Sequence, residues 1–200
     1  PKHTPVPIVE EHLWDGYPEE TNAPYGIAKK TLMRLLQAYG EQYGMRGANL
    51  IPVNMYGPHD HFNLTSSHVI PALILKFYNA MKDGGNVELW GTGSASREFL
   101  YAADCVHAIA RAIETEVDLD PINIGTGKEI TIRDLATEIA EQMGYEGEIK
   151  WQADKPDGQP RRCLDTSKAK ELLDFEAKTN LQTGLKETIK WFLNDKKLEK

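Results

Sequence analysis

Ala48-Asn49-Leu50-Ile51-Pro52-Val53-Asn54 is a short apolar run with a proline close to its end. Such a run reads as a strand buried in a parallel sheet. Pro52 has no N–H for a ladder, so it belongs near the end of the strand. Working outward, the preceding stretch is helical in composition from Tyr25 to Tyr43 and stops near Gly44. Before it, residues 1–24 carry prolines and the acids Glu10, Glu11, Glu19 and Glu20, with no period, and read as an irregular loop.

Beyond the strand lies a loop, Met55 to Asn63. A helix from Ser67 follows, with Val69, Ile70, Leu73, Ile74 and Phe77 as its stripe and Gly84-Gly85 as its end. Asn86 to Trp90 alternates as a strand, Gly91-Thr92-Gly93 turns, and Arg97 to Tyr101 is extended. The order continues with a helix over 102–116, a strand at Pro121–Ile124, a helix capped by Thr131 and running to Met143, and a strand at Glu148–Trp151. A charged turn-rich loop over 154–162 and two helices, 167–173 and 181–194, close the chain. Strands alternating with helices predict an α/β fold with a parallel sheet.

Composition narrows the function. Two hundred residues suit one domain or slightly more, and a formal charge of −7 argues against a nucleic-acid binder. Apolar runs are short and broken by charge, so no membrane span is predicted. Cys105 and Cys163 make neither a disulfide framework nor a metal cluster. The chain starts at Pro1 without methionine or signal peptide, and a soluble, cytoplasmic protein is expected.

Two residues carry chemistry. Tyr25 and Lys29 are four apart at the head of the first helix and so share a face. A free phenol has a pKa of roughly 10, and an ammonium beside it favours the phenolate, which suits proton transfer near neutral pH. A tyrosine packed at a chance spacing is the plainer alternative. His59, Asp60, His61 and His68 lie close in sequence, but their spacing fits no common zinc pattern and no metal is expected. Gly125-Thr126-Gly127 lacks the third glycine of a dinucleotide fingerprint and reads as a plain turn.

Five further stretches extend the pattern: Asn54-Met55-Tyr56-Gly57-Pro58-His59-Asp60, Ser66-Ser67-His68-Val69-Ile70-Pro71-Ala72-Leu73, Trp90-Gly91-Thr92-Gly93, Arg97-Glu98-Phe99-Leu100 and Lys155-Pro156-Asp157-Gly158. With Tyr25 and Lys29, they make the chain resemble the C-terminal two-thirds of the GDP-L-fucose synthase family, within the extended short-chain dehydrogenase/reductase superfamily. The resemblance implies a Rossmann-like sheet, NADPH as cofactor, a GDP-sugar substrate and a homodimer. It makes Tyr25 the proton donor in reduction of a C4 ketone, and Lys29 the residue that holds the nicotinamide ribose. Pro52, Val53, Asn54 and Met55 would lie against the nicotinamide, with His68 at the cofactor's edge. His68 would be one of the two acid–base groups of epimerisation at C3 and C5. Lys76, Trp90, Arg97 and Asp157 would grip the sugar nucleotide.

The resemblance also places the family's glycine-rich turn, first strands, catalytic serine and partner cysteine upstream of Pro1. The chain is then expected to depend on that part for the rest of the cofactor site. Residues 1–60 and 98–125 would form the remaining dinucleotide-binding part, and 61–97 with 126–200 a smaller substrate lobe. Other readings stay open: a related nucleotide-sugar 4-epimerase or 4,6-dehydratase, which would not need His68, or an inactive sugar-nucleotide-binding fragment.

Overall fold

The structure, a computed structural model, describes residues 4–18 and 20–198. Glu19, one acid of the opening loop, and Pro1–His3 lie outside them. In chain order the elements are α1 (Ala23–Tyr43), β1 (Asn49–Pro52), β2 (Asn54–Tyr56), α2 (Val69–Asp83), β3 (Val87–Trp90), β4 (Ser96–Tyr101) and α3 (Ala102–Thr115). They continue with β5 (Pro121–Ile124), β6 (Glu129–Thr131), α4 (Ile132–Met143), β7 (Ile149–Gln152), α5 (Ser167–Leu173) and α6 (Leu181–Leu198).

The expected parallel strands form. β1 pairs with β5 from Asn49↔Pro121 to Pro52↔Ile124, β2 with β4 from Asn54↔Phe99, and β3 with β7 from Val87↔Ile149. β6 was not legible in the sequence; it is three residues long and antiparallel to β4, with Ser96 opposite Thr131. The run 48–54 is two strands rather than one. The Val53 N–H still donates to the Ile124 carbonyl at 2.9 Å, and from Asn54 the chain pairs with β4 instead.

Boundaries shift where local backbone overrides period. The opening loop contains two short 3-10 turns, Glu10–Trp14 and Glu20–Asn22, too brief to leave a periodic signal. α1 begins two residues early, with Pro24 in its first turn. α2 starts at Val69, because His68 is still extended at φ −68°, ψ 172°. α6 runs on to Leu198, past the expected Asn194.

Two cores form on either side of β4. The first gathers Ile70, Ile74, Phe77, Leu135, Ile139 and Phe192 around β3, α2, α4 and α6. The second gathers Val53, Ala108, Ile122, Ile124, Leu164 and Leu173 around β5, α3 and α5. Neighbours along β4 separate between them, Phe99 into the first and Leu100 into the second, as alternation along a strand requires. Cys105 belongs to the second core. α5 joins that core too, although it falls in the sequence-assigned substrate lobe: Ile8 pairs with Leu164 and draws this segment to β5. α1 buries only Ala23, and a cleft of about 1240 Å³ separates it from α3, lined by Arg34, Glu41, Ile109 and Ile113. No helix among the described residues is long and apolar enough to cross a membrane.

Candidate active site

Tyr25 and Lys29 sit where helical spacing puts them. The Lys29 ammonium lies 5.6 Å from the centre of the Tyr25 ring, and both side chains are open to solvent. Lys30 turns the other way, over Trp14 at 5.5 Å, so of these two neighbouring lysines it is Lys29 that accompanies the tyrosine. Tyr25 is 67% exposed. Its ring belongs to neither of the two cores.

The segment Pro52–Met55 marks the place where the chain leaves one parallel partner for another. In open α/β sheets, ligands bind outside the carboxyl ends of strands that part in this way. Pro52 and Met55 face solvent, Val53 enters the second core, and the Asn54 amide donates to the Glu98 carbonyl at 3.1 Å. What the segment offers a ligand is thus backbone, Pro52 and Met55.

His68 occupies the cap position of α2, yet its side chain makes no capping bond and is 81% exposed. It neither caps nor fills the core. Its Nδ1 lies 4.0 Å from Asp60 Oδ1, and that oxygen also accepts the His61 N–H at 2.7 Å. The other two histidines are engaged elsewhere. His59 packs at a tilt against Trp191 with ring centres 4.7 Å apart, and His61 Nε2 meets the Ser66 hydroxyl at 3.1 Å. Among the described residues no three of His, Cys, Asp and Glu come together to hold a metal ion.

The residues assigned to the sugar nucleotide gather around β3 and the 154–162 loop. Lys76 reaches across from α2 and donates to the Glu88 carbonyl at 2.8 Å; burial pulls its pKa down, with Glu88 opposing. Trp90, at the end of β3, is 66% exposed. Arg97 is half-buried and donates to the Ser96 carbonyl at 2.6 Å; burial lowers its pKa first, and nearby Arg162 adds to this. Asp157 already has partners, because its carboxylate accepts the Thr92 N–H and hydroxyl, each at 2.7 Å, and the Gly93 N–H at 3.2 Å. The Thr92 hydroxyl is the main cause holding its pKa below the ordinary value, with the Thr92 backbone bond next. A side chain at Gly91, φ +77°, would strike Asp157 Oδ1, so glycine is required there. Gly158 packs beside Arg97, where a Cβ would lie 3.5 Å from Nη2.

Two residues of the site were not singled out from sequence, Thr92 as the partner of Asp157 and Glu98; Asp60 was weighed there only as a candidate metal ligand, and the structure sets it beside His68. A signal existed for Glu98, a lone carboxylate amid the apolar residues of a strand. Its Oε1 accepts the Thr126 N–H and the Gly127 N–H, the latter at 2.8 Å. Those amides are thus engaged, and the turn opens β6 rather than a helix. Gly125-Thr126-Gly127 is a plain turn, not a phosphate cradle.

Known proteins bear out the pattern. Residues 1–125 match the model of the NAD dependent epimerase/dehydratase family. A probable GDP-L-fucose synthase 1 of Oryza sativa subsp. japonica is 40% identical over 98% of the chain and 60% of its own length. The GDP-L-fucose synthase of Escherichia coli (strain K12) is 40% identical over 98% of the chain and 64% of its own. A crystal structure of a GDP-L-fucose synthetase from Naegleria fowleri bound to NADP superposes with a TM-score of 0.89 at 30% identity, covering 98% of this chain and 64% of that one. The chain thus spans about three-fifths of the length of the curated relatives it matches. With the family's model covering more than half its residues, the chain belongs to the NAD dependent epimerase/dehydratase family.

Proposed function

We propose that the chain supplies the reductive and sugar-nucleotide-binding part of an NADPH-dependent enzyme. That enzyme epimerises GDP-4-keto-6-deoxy-D-mannose at C3 and C5 and reduces C4, giving GDP-L-fucose. The observation that carries this reading is His68, exposed at the head of α2 and free of any capping role. A 4-epimerase or 4,6-dehydratase has no use for it. The names of the relatives, at 40% identity over nearly the whole chain, support the same reading.

The residues fit one end of the cofactor. Lys29 and the exposed Pro52–Met55 segment suit the ribose and nicotinamide, whereas the Gly125-Thr126-Gly127 turn has its amides engaged by Glu98. NADPH supplies the hydride when bound. Tyr25 donates the proton that the reduced C4 oxygen needs, and the Lys29 ammonium offsets the charge left on the phenol oxygen. Before reduction, the C4 ketone acidifies the C–H bonds at C3 and C5. Histidine titrates near neutral pH, and His68 returns a proton to the carbanion from one face. The opposing base is assigned to the part of the relatives' length that this chain does not span, because Cys105 and Cys163 are both buried. Arg97 and Lys76 face the diphosphate as cations.

On this reading the second core, with β1 and β5, belongs to the dinucleotide-binding side and the first core to a GDP-sugar lobe. A cytoplasmic homodimer completes the proposal. The test uses the full-length protein with GDP-4-keto-6-deoxymannose and NADPH. GDP-L-fucose identified by NMR is the expected product; an unepimerised sugar or no NADPH oxidation overturns the proposal.

A further inference from the structure

Glu98 is fully buried, with no solvent contact. Its carboxylate is bound from two directions. Oε1 accepts the backbone N–H of Thr126 and of Gly127, the latter at 2.8 Å, and the Thr126 hydroxyl at 3.3 Å. Oε2 accepts the Leu164 N–H at 2.7 Å. A carboxylate is acceptor-only, so it matches three inward N–H groups that no neutral side chain of this shape could satisfy. Gly125 completes the fit, since a Cβ there would strike Oε1.

The backbone of the same residue binds two more segments. Its carbonyl accepts the Asn54 amide at 3.1 Å, and its N–H donates to the Arg162 carbonyl at 3.2 Å. The Ser96 N–H donates to the Pro160 carbonyl at 2.9 Å, so residues 160–164 run beside β4. One residue therefore ties together the strand switch at Asn54, the turn after β5 and the strand that carries Arg97. It also holds the end of the loop that carries Asp157. It stands at the seam between the two cores, with Phe99 in one and Leu100 in the other.

We infer that Glu98 is a positioning residue that fixes the sugar-nucleotide side of the site, Arg97 and the 154–162 loop, against the nicotinamide side at Pro52–Met55. The inference rests on the function proposed above. Hydride transfer depends steeply on the separation of the reacting atoms, and a misplacement of about 1 Å can cost about 100-fold. Glu98 touches neither substrate nor cofactor and acts by setting that separation.

Glu98→Gln keeps the shape but leaves one amide N–H₂ facing backbone N–H donors. In the full-length protein, assayed below its melting midpoint, kcat for reduction should fall about 10–100-fold. KM for the GDP-sugar should stay within about threefold, since Arg97 and Lys76 are retained. With NADPH deuterated at the transferred position, the isotope effect on kcat should rise, because hydride transfer has become slower than the other steps. A merely structural role would lower the melting midpoint and leave the isotope effect unchanged. Should Glu98→Gln not fold, Thr126→Val decides: it removes one donor to Oε1 and should move kcat and the isotope effect in the same direction by a few-fold. Parent kcat and parent isotope effect in the folded variant overturn the inference. If the unmodified protein itself does not oxidise NADPH with this substrate, it is the proposed function that fails instead.

Discussion

His68→Asn separates chemistry from stability more cleanly than any other change in the site. The side chain is 81% exposed and makes no capping bond, so its removal opens no cavity, and Asp60, 4.0 Å away, keeps the His61 N–H. Exposed substitutions of this kind stay within about 0.5 kcal/mol, and asparagine is itself among the best residues at a helix N-cap. For a domain of this size that corresponds to a melting shift of no more than about 2 °C. Loss of an acid–base group costs about 100-fold or more in the step it serves, roughly 2.7 kcal/mol of transition-state stabilisation. The assay is incubation of the full-length variant with GDP-4-keto-6-deoxymannose in deuterated water, following the C3 and C5 protons by NMR, then addition of NADPH. Exchange should collapse while folding holds, and the reduced product should be GDP-6-deoxymannose or a partly epimerised sugar. GDP-L-fucose at the parent rate would refute the reasoning and leave His68 as a surface residue.

Tyr25→Phe should cut ketone reduction by about 10²–10⁴-fold and leave C3 and C5 exchange in place, read as NADPH oxidation against deuterium uptake; equal loss of both would contradict the division of roles. The Asp157 carboxyl has a folded pKa held below 3.8, chiefly by the Thr92 hydroxyl, so its stabilisation of the turn is present above that value and is lost as pH falls below it. Protection of the Thr92 and Gly93 amides, measured against their intrinsic exchange rates, should therefore fall below about pH 4, and Asp157→Asn should abolish that dependence; protection unchanged in acid would count against it. Burial, with Glu98 second, pushes the Cys163 thiol up to about 12, so iodoacetamide should leave it unlabelled in the native protein and modify it once denaturant is added. Labelling at the rate of a free thiol would show the segment 160–164 to be open.

Periodic elements were legible because their signal is local. Of the expected stripe, Ile70, Leu73, Ile74 and Phe77 are buried as the spacing requires while Val69, at the head of α2, is exposed; Thr131 caps α4 by accepting the Asp134 N–H, and Gly44 ends α1 at φ 66°. The pairing of Tyr25 with Lys29 was legible for the same reason, since four residues make one turn of helix. The charge at Asp157 was visible in the sequence, but its engagement with Thr92, 65 residues away, was not.

Local signals specify the menu of elements, the parallel character of the main strands, and the residue types able to move protons. Helical and strand periods and side-chain chemistry are properties of neighbours along the chain. Long-range packing sets which strands part at Val53, which core receives α5, where β6 finds its partner, and how the Asp60 carboxylate meets the His68 ring. It also decided that Glu98 lies wholly inside, holding amides 28, 29 and 66 residues away in sequence. A buried carboxylate is stable only where donors converge on it, and that convergence comes from segments the chain brings together by folding, not from anything adjacent to Glu98 in sequence.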